Sequence, residues 1–140
     1  MTYQEQMIQS LSDLLENEED LKYPIYGTLQ QKNRHWFGFW GLTDNYLLSV
    51  LLVGSSKKIG WTSRIPLDIK SVYVKKTLIP YQYKIHIEFK EGAPCDLIVS
   101  RKVVGIDQQE ANLSGFIKYI QESSNPSSKI CPPAGSKIRP

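Results

Sequence analysis

Apolar side chains recur along this chain with two periods, and the change between them divides it. Met7, Ile8, Leu11, Leu14 and Leu15 are spaced by three and four, which places them on one side of a helix running roughly over 3–16. From Tyr23 onward the pattern turns to short β-branched and aromatic runs broken by Gly, Pro, Asn, Asp and Ser. It predicts strands near 24–31, 36–43, 46–53, 58–64, 69–76, 82–90 and 95–101. In the clearest of them Tyr81, Tyr83, Ile85, Ile87 and Phe89 alternate with Gln82, Lys84, His86, Glu88 and Lys90, giving one dry and one wet face. A helical period returns at Leu113, Phe116, Ile117 and Ile120, predicting a helix over 108–122. Asp107 and Glu110 stand at the spacing of an N-cap and its reciprocal partner.

Seven strands covered by one helix would expose long edges unless the sheet bent into a partly open barrel or two packed halves. The expected class is therefore mostly β with helices (α+β): a seven-stranded bent sandwich capped by the C-terminal helix, plus the N-terminal helix. At 140 residues the chain suits a single core. The expected division is an acidic amphipathic helix over 1–21, the β domain over 22–122 and a flexible tail over 123–140, where four prolines interrupt any apolar period.

Charge sharpens this division. Residues 1–20 hold six acids (Glu5, Asp13, Glu16, Glu18, Glu19 and Asp20) and no Lys or Arg, so removing them from a net charge of +3 leaves +9 on the rest. An acidic arm precedes a basic body, either as a solvated helix face or as a strap that folds over and masks cationic surface. Two cysteines, Cys95 and Cys131, make no disulfide framework and form no metal-ligand cluster with His35 and His86. They fit a reducing, cytoplasmic compartment. The longest strongly apolar run, 46–53, is too short to cross a bilayer as a helix, and no export signal opens the sequence.

Motifs for catalysis are missing. No Gly-x-Ser-x-Gly turn, His-Glu-x-x-His pair or complete phosphate loop is present, so a non-enzymatic module without cofactor or metal is expected. His86 is expected on a wet strand face and His35 in a turn.

The segment 26–48 contains Gly27-Thr28-Leu29, Lys32, a polar turn, Trp36, Trp40, Leu42 and a strand opening at Asn45-Tyr46-Leu47-Leu48. It resembles the opening hairpin of pleckstrin-homology domains, and Ile65–Val74 resembles a segment of the related GRAM and bacterial pleckstrin-homology-like domains. With the terminal helix, the resemblance covers about 22–122 and implies the seven-plus-one fold. Phosphoinositide-binding members carry basic residues in this hairpin. Lys32 matches one such place, but Phe37, Gly38 and Phe39 occupy the following ones and cannot pair with phosphate.

The resemblance thus implies a binding or adaptor module rather than an enzyme. The first expectation is protein or peptide contact, or self-association, with Trp36, Phe37 and Phe39 as contact aromatics unless the N-terminal helix covers them. The alternative is peripheral binding of anionic lipid through Lys32, Arg34, His35, Lys57, Lys58 and Arg64 on strand-connecting loops. Nucleic acid, with cations on phosphates and rings on bases, ranks third because the basic residues are few.

Overall fold

The computed structural model describes residues 2–54 and 58–124. Lys57, Cys131 and the tail from residue 125 lie outside the described residues. Two helices and seven strands follow in the order α1 (Tyr3–Ser12), β1 (Lys22–Gln31), β2 (Arg34–Leu42), β3 (Tyr46–Val53), β4 (Lys58–Pro66), β5 (Ile69–Lys76), β6 (Gln82–Phe89), β7 (Cys95–Ser100) and α2 (Gln109–Ser124). All seven expected strands are present.

The strands form one antiparallel sheet ordered β4-β3-β2-β1-β7-β6-β5. β4 and β5 occupy its two edges, yet only Leu67 and Asp68 separate them in sequence. The three Cα steps from Pro66 to Ile69 span at most about 11 Å, so the sheet has to curl until its first and last strands approach. It remains open, since β4 and β5 do not pair, and in its middle β1 and β7 exchange only a short pairing, Thr28 with Ile98 and Leu29 with Leu97.

The curl encloses the main core. Ile25, Trp40, Leu47, Ile85, Ile87 and Leu97 are buried there against Leu113, Phe116 and Ile120 of α2, the apolar stripe of the expected helix. Two devices seat α2. Gly115 lets the helix approach β1, because a Cβ there would sit 2.2 Å from Tyr23 Cε1. The buried side chain of Gln109 donates from Nε2 to the carbonyls of Tyr26 (2.8 Å) and Ser100 (2.9 Å), and its Oε1 accepts from Tyr26 N–H at 3.0 Å. Those bonds satisfy backbone groups that the strands leave unpaired at this corner.

The helix starts later than its expected cap. The first turn closes from Asn112 N–H to the Gln108 carbonyl, while Asp107 N–H donates to Gln4 Oε1 at 2.6 Å and Glu110 faces Arg101 at 3.6 Å. The N-terminal arm, not the helix, engages Asp107.

α1 begins with a capping box, Glu5 N–H donating to the Thr2 hydroxyl and Thr2 N–H to the Glu5 carboxylate. Its Met7 and Leu11 lie on Phe39, Leu48, Val50 and Leu52, forming a second buried cluster on the convex face of β2 and β3. Each such side chain contributes about 1.5–3 kcal/mol on burial. The helix ends at Ser12, before the expected residue 16, and tightens into turns in which Leu14 N–H reaches the Leu11 carbonyl and Leu15 N–H that of Ser12, both at 3.0 Å.

Candidate functional site

Antiparallel alternation brings the β1–β2, β3–β4 and β6–β7 connections to one end of the sheet. The first hairpin closes at Gln31 opposite Arg34, with Lys32 in the left-handed region at φ +49, and the β3–β4 connection closes at Val53 opposite Lys58. Lys32, Arg34, His35 and Lys58 are thus gathered at this end, all exposed. Gln30 Nε2 lies 3.3 Å from His35 Nε2.

Arg64 corrects the expectation of a free loop cation. It lies within β4 opposite Leu48, on the face that α1 covers. Its guanidinium donates to both carboxylate oxygens of Glu19 (2.6 and 2.9 Å), to Glu16 at 3.3 Å and to the Leu14 carbonyl at 3.0 Å, while stacking 4.2 Å from the Tyr46 ring centre. The arm reaches it because residues 16–19 form a closed loop: Glu16 N–H donates to Glu19 Oε1 and Glu19 N–H to the Glu16 carbonyl. The Arg64 hydrogen bond, aided by that backbone donor, pulls the Glu19 carboxyl from its ordinary 4.5 to about 2. The acidic arm therefore does fold over the basic body, covering Arg64 while leaving the hairpin cations in water.

The aromatic positions divide. Phe39 is fully buried beneath α1 and is corrected from contact residue to core residue. Trp36 is half-buried, its ring edge-on to Trp61 with centroids 5.2 Å apart. Phe37 remains 51% exposed, parallel to Tyr26 at 6.3 Å. Gly38 between them has no room for a side chain, since a Cβ would meet the Val50 carbonyl at 2.5 Å and the Trp40 indole at 3.0 Å. No cation could replace it without moving the β3 backbone.

Sequence reasoning missed the apolar residues of β4. Ile59 is 49% and Trp61 57% exposed, and Trp61 lies edge-on to Trp36. A bulge between the pairs Leu51–Trp61 and Leu52–Ile59 sends the two side chains to opposite faces of the sheet, which their i, i+2 spacing in the sequence does not announce. It also missed a hollow of about 320 Å³ on the convex face of β5–β7, lined by Tyr73, Lys75, Lys84, His86 and Asp96. There His86 Nδ1 lies 2.6 Å from Asp96 Oδ1.

Nothing in these groups assembles a nucleophile. Cys95 points into the core, where burial pushes its thiol up to about 12, whereas His86 faces outward. Among the described residues no cluster of His, Cys, Asp and Glu could hold a metal ion, and no helix is long and apolar enough to cross a membrane.

No family model and no curated protein matches the sequence. Solved structures match the fold. The chain is similar to the C-terminal domain of an unknown protein from Leishmania infantum, with a TM-score of 0.56, 14% identity, and coverage of 80% of this chain and 92% of that one. It is similar to the hSac2 domain from human phosphoinositide phosphatase Sac2, with a TM-score of 0.54, 14% identity and coverage of 88% and 82%. A third likeness is to a DUF1696 family protein with a pleckstrin-homology domain from Shewanella loihica, with a TM-score of 0.51, 15% identity and coverage of 87% and 93%. With seven strands in one bent antiparallel sheet, a terminal helix seated in the core and these likenesses together, the fold of this chain is pleckstrin-homology-like.

Proposed function

We propose that this chain is a non-catalytic binding module that takes a protein or peptide along the free edge of β4. One observation carries the reading: β4 is a nine-residue edge strand holding Ile59 and Trp61 in water. An extended segment can pair with such an edge through its main chain, while the exposed side chains supply apolar anchors. A second copy of the chain satisfies the same chemistry, so self-association belongs to this reading. We infer a cytoplasmic setting, in keeping with the buried thiol of Cys95.

Lipid recognition by the first hairpin is the weaker reading. Lys32, Arg34, His35 and Lys58 can attract an anion, but Phe37, Gly38 and Phe39 offer it no further cation, and Arg64 is already paired.

The test selects displayed peptides on the full chain and measures its mass by light scattering, with Ile59→Asp and Trp61→Ala as variants. Expected is a bound peptide, or a concentration-dependent dimer, that both variants weaken about tenfold or more, in line with loss of a central anchor. A strict monomer that selects no peptide, or binding indifferent to both variants, overturns the reading.

A further inference from the structure

At the end of the sheet opposite the first hairpin, the β5–β6 connection makes a tight turn. Thr77 N–H donates to the Gln82 carbonyl at 3.1 Å and Gln82 N–H to the Ile79 carbonyl at 3.2 Å, with Tyr81 at φ +64. Turn tips ordinarily carry small polar residues. This one presents Leu78 wholly in water and Ile79 58% exposed, an unfavourable hydration of two large aliphatic side chains.

Cations surround the tip. Lys75 stands directly opposite Lys84 on the paired strands, an arrangement that destabilises a sheet unless an anion lies between. Among the described residues neither lysine has a carboxylate within ion-pair distance, and Asp96 in the same hollow is engaged by His86. Lys76 follows on β5. Arg101 and Lys102 lie 4.8 and 5.1 Å from the Tyr81 ring centre, and Arg101 N–H donates to the Tyr81 carbonyl at 2.8 Å. Arg101 also faces Glu110 at 3.6 Å, but segments 75–84 and 100–104 themselves contain no acid.

We propose that the β5–β6 hairpin docks on an anionic lipid bilayer, Leu78 and Ile79 entering the acyl boundary while Lys75 and Lys84 meet the lipid phosphates. The dimensions agree. Lys75 stands three positions before Leu78, at most about 10 Å of extended chain, so with the tip at the acyl boundary the lysine pair falls at the outer side of a headgroup layer about 5–8 Å thick. Tyr81, 52% exposed, then lies at the depth where amphipathic rings are favoured. This surface is distinct from the β4 edge, and neither proposal depends on the other.

The full chain is sedimented with vesicles of phosphatidylcholine alone or mixed with phosphatidylserine. Binding to the mixed vesicles alone is expected, falling as salt is raised. Leu78→Asp/Ile79→Asp and Lys75→Glu/Lys84→Glu, all at the surface, should each weaken it about tenfold or more, since each lysine near an anionic surface is worth about fivefold. Lys32→Glu/Arg34→Glu, which lowers the net charge equally from the opposite end of the sheet, should weaken it less than Lys75→Glu/Lys84→Glu does. A Leu78→Trp chain should add blue-shifted emission with mixed vesicles and none with inorganic phosphate. Failure to sediment at low salt, binding indifferent to the tip pair, binding lost only in Lys32→Glu/Arg34→Glu, or added emission that does not shift on bound vesicles would each overturn the proposal.

Discussion

Glu19 grips Arg64 with both carboxylate oxygens across 45 residues of sequence, at 2.6 and 2.9 Å. The contact fixes the C-terminal end of the acidic arm, as Met7 and Leu11 fix its helix.

Acid should release that end. The Glu19 carboxyl is held at about 2 against an ordinary 4.5, so its contribution to stability is complete above about pH 4.5, declines as pH falls and is gone below about 2. Thermal midpoints of the parent and of Glu19→Gln should therefore differ most at pH 5–7 and converge toward pH 2. Comparing the two chains cancels the other carboxylates.

Gln109 should be among the costliest polar residues to remove. Gln109→Leu keeps bulk but strands the N–H and carbonyl of Tyr26 and the carbonyl of Ser100. A loss of about 2–4 kcal/mol is expected in denaturant unfolding, because buried polar groups are left unpaired.

Gly115→Ala should destabilise despite the better helix propensity of alanine. The added methyl would lie 2.2 Å from the Tyr23 ring. Overpacking costs about 1–3 kcal/mol, more than the gain of about 1 kcal/mol from propensity. In a Tyr23→Ala background the same substitution should become neutral or stabilising, which separates the clash from other causes.

Cys95 should be silent in the folded chain. With its thiol pushed up to about 12 by burial, it should not react with a disulfide reagent at pH 8 in a Cys131→Ser background. Labelling should appear only through the denaturant transition. Prompt labelling of the native protein would show that β7 opens locally.

The fold was legible where one chemical pattern repeats over several residues. Ile85, Ile87 and Phe89 face inward because their strand alternates strictly, and Leu113, Phe116 and Ile120 mark the α2 stripe. What escaped was set by partners distant in sequence. Asp107 reads as a cap until Gln4 is seen to take its N–H, and Arg64 reads as a free cation until Glu19 arrives from the arm. Phe39 resembles Phe37 in the sequence; the position of α1 alone makes one core and the other surface. The hydrophobic turn at Leu78 and Ile79 did carry a signal, two aliphatic residues where a hairpin reverses, but the strand pattern on either side drew attention away from the reversal.

The curled sheet is, mechanically, a cylinder with a lengthwise slit. Its lips are β4 and β5, and the chain crosses from one to the other only at Leu67 and Asp68. Widening the slit breaks no interstrand ladder; the resistance comes from side chains packed inside and from α2, which touches β1 on one half and β5 on the other. Helix α2 therefore acts as a clasp as well as a plug, and it sets the stiffness of the whole wall.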